Sequence, residues 1–439
     1  MKKVYKKSAD IAMDELLLKA YREKKALIWD RAERQQPQCG FGRSCLCCTQ
    51  CADGPCRVSP FDTGAQVTIC GKTALQLQAE SVMRRFSEGL IGLWQTAGAL
   101  GVREALCPNA LCAADSMLGS GTPEKVGEEA GKLLRAIAEQ IPEETRTQEA
   151  SFGILRPEKP NVLLLGTADC KTVAALQAQA HLNVVSACGS ELTHGVPVLT
   201  NYASQDAALL TGLIDAVVVG RQCVPPAVYT LAAEQGIAVF AGEIDPAAVA
   251  AAAVESAGKN AMRTNCAPVT VEMETVRGVK TLRALMEKAQ NGTKGVVFLG
   301  GCGGAAHTQD WDVANLAAGY IDEGYFVVTA GCAGMSLAKA GMCSKTYRGG
   351  NYPVAAAGLA PAVYIGSCHA AGVFLKAAEG LENTYAVFTE LTHNKPYAIA
   401  AALAAAGIGC SIADSKLELR PEIACQLEKA GIRVPTAEA

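Results

Sequence analysis

Charge of one sign, aromatic rings and long apolar runs are what this chain has least of. Its 439 residues carry 40 Lys and Arg against 43 Asp and Glu, a formal charge of −3. That balance leaves no electrostatic footprint for nucleic acid or an anionic membrane. The Ala-rich stretches at 247–253 and 398–406 are too short to span a bilayer and read as buried helices. No apolar leader precedes the first cysteines, because Met1-Lys2-Lys3 runs into charged residues. A reducing, cytoplasmic setting is therefore expected, with free or metal-bound thiols in place of disulfides. Aromatics make up only 5% of the chain, yet half of it is hydrophobic, so two or three domains with large cores fit its length.

Cysteine is what the chain has in excess. Seven of its 19 cysteines lie between Cys39 and Cys70. Cys48, Cys51, Cys56 and Cys70 form a Cys-x2-Cys-x4-Cys run with a distant fourth member, a spacing that wraps thiolates around one 4Fe-4S cluster. Zinc also takes four thiolates, but its structural sites come as two separated Cys-x2-Cys knuckles, and the second is missing here. Cys39, Cys45 and Cys47 are too few for a second site in one chain. Two cysteines from each of two chains would complete a shared site at a twofold axis; free thiols in a Gly-rich loop are the alternative.

Helical spacing over 8–35 and 73–114 predicts a helical N-terminal region, in which Cys107 and Cys112 read as small buried hydrophobes. The polar segment 139–160 reads as a domain boundary. Beyond it, short β-branched runs alternate with helical stretches, the signature of parallel sheets. The expected fold is α/β: a helical cysteine-loop domain at 1–150 and two Rossmann-like domains at 151–280 and 281–439. Six of the predicted strands run into a cysteine, at Cys170, Cys188, Cys223, Cys302, Cys332 and Cys368. Ligands of open parallel sheets sit beyond the strands' carboxyl ends, so these thiols aim toward a crevice. GGCGG at 300–304 lacks the spacing and the acid of a dinucleotide loop.

The cysteine loop, together with NYASQDAALLTGLIDAVVVGRQC, TAGCAGMSLAKAGMC and IGSC, resembles the catalytic subunit of anaerobic nickel-iron carbon monoxide dehydrogenase, a relative of the hybrid-cluster (prismane) proteins. The resemblance implies a 4Fe-4S cluster on Cys48, Cys51, Cys56 and Cys70, and a subunit-bridging cluster, 4Fe-4S or 2Fe-2S, on Cys39 and Cys47. Cys45 stands where the family has a small non-ligand residue. The resemblance also implies an inner cluster on Cys188, Cys223, Cys332 and Cys368. Cys302 lies beside them, where hybrid-cluster proteins carry a persulfide.

Three departures from the family bear on function. The family's ligand histidine falls on GTADC, leaving Asp169 or Cys170. Its last cysteine ligand, in Cys-x-Lys, falls on His393-Asn394-Lys395. Its proton-carrying histidine ladder falls on LWQTAGALGV at 93–102, with Leu93 in the first place. With base and ligands changed, the expectation is a homodimeric iron-sulfur oxidoreductase with an inner iron-sulfur or iron-sulfur-oxygen cluster. It would take electrons from a ferredoxin-like donor and reduce a small N–O compound such as hydroxylamine, with Cys302, His393 and Lys395 at the reacting centre. The alternatives are a nickel enzyme oxidising carbon monoxide, with Cys170 and His393 as replacement ligands, and a non-enzymatic electron relay or redox sensor.

Overall fold

The computed structural model describes residues 7–61, 63–102, 123–190, 195–259, 263–349, 352–413 and 419–435. Cys107 and Cys112 lie outside these. Two sheets organise the chain. The first has five parallel strands in the order β6-β5-β4-β7-β8: β4 (Asn161–Leu165), β5 (Asn183–Ala187), β6 (Val198–Thr200), β7 (Ile214–Val219) and β8 (Ala238–Ala241). All five residues of β4 are buried, because a central strand with both faces covered must be apolar throughout. The second sheet has eight strands in the order β15-β14-β13-β10-β11-β12-β9-β3. It comprises β3 (Glu144–Ala150), β9 (Val271–Arg277), β10 (Gly295–Gly301), β11 (Tyr325–Thr329), β12 (Ala362–Tyr364), β13 (Thr384–Thr389), β14 (Gly409–Ile412) and β15 (Ile432–Arg433). Its strands run parallel except β3, which pairs antiparallel with β9. In each sheet the strand order reverses beside the first long central strand, β4 or β10, and there the carboxyl ends open a crevice.

Sheet membership does not follow limits at 150 and 280. β3 lies inside the polar segment read as a boundary, and it pairs with β9 from Glu144↔Arg277 to Ala150↔Val271. Its side chains alternate between half-buried and exposed, so an edge strand here has the composition of a linker.

Helices cover both sheets. Ala12–Arg22 packs Ala12, Met13, Leu16 and Ala20 into the core of the first sheet, as a cover without chemistry. The long helix Ala74–Ala99 starts at a capping box, in which Thr73 Oγ1 accepts from the Gln76 amide at 3.3 Å and Gln76 Oε1 accepts from the Thr73 amide at 2.9 Å. Such a cap stabilises by about 1 kcal/mol. This helix lies with Pro123–Glu139 and Lys395–Ala405 on the second sheet. At Gly89 a Cβ would sit 2.3 Å from the Asn394 carbonyl oxygen, so only glycine lets the long helix touch the start of Lys395–Ala405.

Candidate metal-cluster centre

The strand ends bring five thiols to one cavity between the sheets. Cys188 directly follows β5 and Cys223 lies in the loop after β7. Cys302 follows β10, Cys332 opens the helix Gly331–Lys339 after β11, and Cys368 opens the turn after β12. All five line the cavity with Tyr202, His393 and Lys395. Cys188 and Cys332 stand 3.5 Å apart, sulfur to sulfur. The Tyr202 amide donates to Cys332 Sγ at 3.4 Å, and the His393 amide donates to the Cys302 thiol. Cys188 and Cys223 hold φ values of 68° and 56°. Non-glycine residues pay roughly 1–3 kcal/mol for that conformation, which persists where the surroundings over-determine it.

Lys395 is no surface lysine: it is 3% exposed and is the first residue of its helix. Gly92 of the long helix makes room for its stem, since a Cβ there would come within 3.1 Å of Lys395 Cγ. Burial opposes the ammonium charge, but Cys223, Cys368, Cys188 and Cys302, where they are ionised, outweigh it and raise the Lys395 pKa. Burial, and then the charge on Lys395, lower the pKa of His393 to about 4, leaving a neutral imidazole near pH 7. Its ring meets Tyr202 edge-on at 4.3 Å between centroids.

Asp169 and Cys170 are not brought to this cavity. Asp169 caps the helix Cys170–Gln177, accepting from the Lys171 amide at 3.0 Å and the Thr172 amide at 3.4 Å. Its carboxylate faces a separate cleft with Thr167 and Arg221, because the helix begins there and turns the chain away from the thiols. Leu93 is fully buried in the hydrophobic core.

Several residues that support the site carry no motif. His369, next to Cys368, is fully buried, with Nε2 2.6 Å from Thr96 Oγ1 and Nδ1 3.1 Å from Ser367 Oγ. Behind Cys332, Asp310 Oδ1 accepts from Ser336 Oγ and Asn201 Nδ2, each at 2.7 Å, while Oδ2 accepts from Ser8 Oγ at 2.5 Å and lies 3.4 Å from Lys339 Nζ. Burial pushes the Asp310 pKa up, but Lys339 and these hydroxyl and amide donors prevail and hold it below its usual value. Ser336 Oγ also lies 3.1 Å from the Cys332 carbonyl oxygen, which shares the serine's one hydroxyl hydrogen with Asp310, so the network anchors both the cysteine's helix and the strand end that leads to Tyr202.

The N-terminal cysteines form a second assembly. β1 (Cys47–Cys48) and β2 (Cys56–Arg57) pair antiparallel, setting Cys48 opposite Cys56 with Cys51 in the turn between them. The Ile69 amide donates to Cys56 Sγ at 3.5 Å, which draws the neighbouring Cys70 toward the hairpin. Cys39 and Cys47 are exposed, whereas Cys45 is half-buried and its sulfur accepts from Ser81 Oγ at 3.2 Å.

Thiolates are the usual ligands of iron-sulfur clusters, and four buried thiols and half-buried Cys368, with a lysine and a neutral imidazole, fit such a group in the inner cavity. Among the described residues no three Cys, His, Asp or Glu side chains converge on a single metal ion. A cluster does not need such convergence, since each of its irons takes its own thiolate. Two parallel sheets thus bring strand-end thiols to one cavity whose donor set suits a thiolate-bound cluster. The chain belongs to the prismane/CO dehydrogenase family, whose model matches residues 142–408. It is 24% identical to carbon monoxide dehydrogenase 2 of Carboxydothermus hydrogenoformans over 76% of this chain and 75% of that one. To carbon monoxide dehydrogenase 1 of Methanosarcina mazei it is also 24% identical, over 83% and 81%. The solved carbon monoxide dehydrogenase IV of C. hydrogenoformans shares the fold at a TM-score of 0.80 and 21% identity, covering 98% of this chain and 96% of that one.

Proposed function

We propose that the protein is a cytoplasmic, homodimeric iron-sulfur oxidoreductase whose altered inner cluster reduces a small N–O compound such as hydroxylamine. The observation that carries this reading is the composition of the cavity: five thiols lining one space with Lys395 and a neutral His393. Cys188, Cys223, Cys302, Cys332 and Cys368 would hold the cluster, with His393 at its rim; Asp169 and Cys170 drop out of this set. The cluster would supply electrons to the substrate, delivered by a ferredoxin-like donor through the N-terminal clusters on Cys48, Cys51, Cys56 and Cys70 and, between subunits, on Cys39 and Cys47. Hydroxylamine with two electrons and two protons gives ammonia and water. Lys395 holds one such proton at the cavity wall. His393, uncharged, leaves a lone pair free for a metal or a substrate N–H.

The names of the relatives favour a second reading, nickel-dependent carbon monoxide oxidation. Against it stands the environment of the long helix, where fully buried Leu93 supplies no group to accept the protons released from water. Anaerobic metal and sulfide counts, followed by turnover with a viologen dye, decide between them. The expected result is hydroxylamine reduction with negligible carbon monoxide oxidation, even after nickel reconstitution. About one nickel per chain with carbon monoxide turnover would establish the second reading, and no turnover of either substrate would leave an electron relay.

A further inference from the structure

A cleft of about 640 Å3 on the second sheet shares no lining residue with the thiol cavity, and Tyr320, Tyr325, Tyr385, Ser411, Glu428 and Arg433 are among the residues that form it. Strand register puts its floor on one face of the sheet. Tyr325 of β11 is in register with Gly295 and Tyr385 of β13 with Val297, alternate positions on β10, so both rings stand on the same side. Gly409 of β14 is in register with Tyr385, and the alternate residue Ser411 with Arg433 of β15, which carries the same face on to the edge strand. Helices stand at either end. Tyr320 comes from the last turn of Trp311–Asp322 and Glu428 from the last turn of Pro421–Lys429.

The tyrosines meet edge-on: Tyr320 and Tyr325 at 5.8 Å between centroids and 85°, Tyr325 and Tyr385 at 6.1 Å and 84°. Rings set at right angles make a corner walled by a ring face, and a ring face carries the negative part of the quadrupole. Gly409 leaves Tyr385 uncovered, since a Cβ there would come within 3.3 Å of its Cδ1, and the tyrosine stays 40% exposed. Glu428 and Arg433 are exposed, and neither side chain makes a hydrogen bond or ion pair among the described residues. The cleft therefore combines aromatic faces with one uncommitted carboxylate and one uncommitted guanidinium. A quaternary ammonium suits the rings and the carboxylate, because it is attracted to both and has no N–H that the rings would leave unbonded. A carboxylate suits the guanidinium, which can take it by two parallel hydrogen bonds.

We propose that this cleft binds a small zwitterion with a quaternary ammonium at one end and a carboxylate at the other. Tyr320, Tyr325, Tyr385 and Glu428 receive the cation, and Arg433 receives the carboxylate. The site stands apart from the cluster reading, since it draws on none of the thiol cavity's residues.

The test is calorimetric titration of the anaerobic protein with three probes. Trimethylglycine carries both charges, choline keeps the ammonium without the carboxylate, and tert-butylacetate keeps the shape and the carboxylate but has carbon in place of the charged nitrogen. Trimethylglycine should bind at millimolar concentration or below and raise the unfolding temperature. Because ring faces attract charge rather than shape, tert-butylacetate should bind about tenfold more weakly. Tyr385→Leu should weaken trimethylglycine by a similar factor, and Tyr385→Phe, which keeps the ring, should retain the wild-type affinity. Glu428→Gln should weaken trimethylglycine and choline but not tert-butylacetate, whereas Arg433→Gln should weaken trimethylglycine and tert-butylacetate but not choline. Both of these positions are exposed, so the fold survives the change. Equal binding of trimethylglycine and tert-butylacetate, or a trimethylglycine affinity unchanged in both Tyr385→Leu and Glu428→Gln, would overturn the proposal. So would a wild-type protein that binds no trimethylglycine at millimolar concentration. None of these results bears on the cluster assignment, which the metal and sulfide counts decide.

Discussion

The same side chain is used in two opposite ways at the two ends of this molecule. In the N-terminal loop, proximity in sequence gathers the thiols around a hairpin of two-residue strands, and Cys39, Cys47, Cys51 and Cys70 remain exposed. In the inner cavity the thiols come from strands far apart in sequence, and the two sheets gather and bury them. Their electrostatics differ accordingly. Backbone hydrogen bonds from Gly42 and Phe41 lower the pKa of Cys39, and the Thr68 hydroxyl lowers that of Cys70. Burial raises Cys302, and the hydrogen bond with Cys188, together with burial, raises Cys223. An exposed thiol primed to ionise suits a site that another chain or an incoming cluster completes. A buried thiol gives up its proton only to a metal already inside.

If the regions are separable in this way, damage to one should spare the other. The largest effects belong to the cavity. Cys302→Ala and His393→Ala should each abolish hydroxylamine turnover, and Lys395→Ala should lower it about 10²- to 10⁴-fold, the usual contribution of a proton donor. The spectra of the N-terminal clusters should persist in all three variants. Unchanged turnover in them would remove the inner crevice from the mechanism.

The converse variant acts at the loop. Cys39→Ala should eliminate the proposed bridging cluster and weaken the dimer, while the cluster on Cys48 and the inner site keep their iron. Sedimentation with an iron count checks it; a wild-type protein that runs as a monomer with all its iron would refute the shared site.

A smaller, thermodynamic effect should come from Asp310→Ala, which leaves Lys339 buried and unpaired. Breaking such a pair costs about 3–5 kcal/mol, measurable by denaturant unfolding. Because the folded-state pKa of Asp310 lies below its unfolded value, its stabilisation is fully present above about pH 4 and is lost as pH falls through the folded value. The wild-type protein should lose that stability on acidification, and the variant should not.

What could be read from the sequence follows the same division. The loop's spacing is a local code, and the hairpin respects it. Five of the six strand-end cysteines line the cavity because a parallel strand's carboxyl end is a geometric fact that hydrophobic runs reveal. Contacts made only in three dimensions were not legible. Nothing in Glu144–Ala150 announces a partner at Val271–Arg277, since an edge strand needs no continuous apolar face. Asp310 and Lys339 look like ordinary surface charges until the fold closes over both. Lys395 is buried only because Gly92, on a distant helix, leaves space for it.

Asp169 is where sequence and geometry part most clearly, and it gives the smallest and sharpest test. Alignment with the family's ligand histidine made it or Cys170 a metal ligand, yet the side chain accepts from two amides at the start of its helix, outside the thiol cavity. A carboxylate already capping two orphan N–H groups loses those bonds if it turns to a metal, and a cap of this kind stabilises by about 1 kcal/mol. Asp169→Ala should therefore lower stability by about that amount, Asp169→Asn should recover most of it, and Cys170→Ser should change little. In all three the inner cluster's iron content and spectrum should match the wild type. Iron lost from the inner site in Asp169→Ala but retained in Asp169→Asn would point to the cap shaping the cavity from outside; iron lost in both would make the carboxylate a ligand after all and return the site to a donor set closer to the family's.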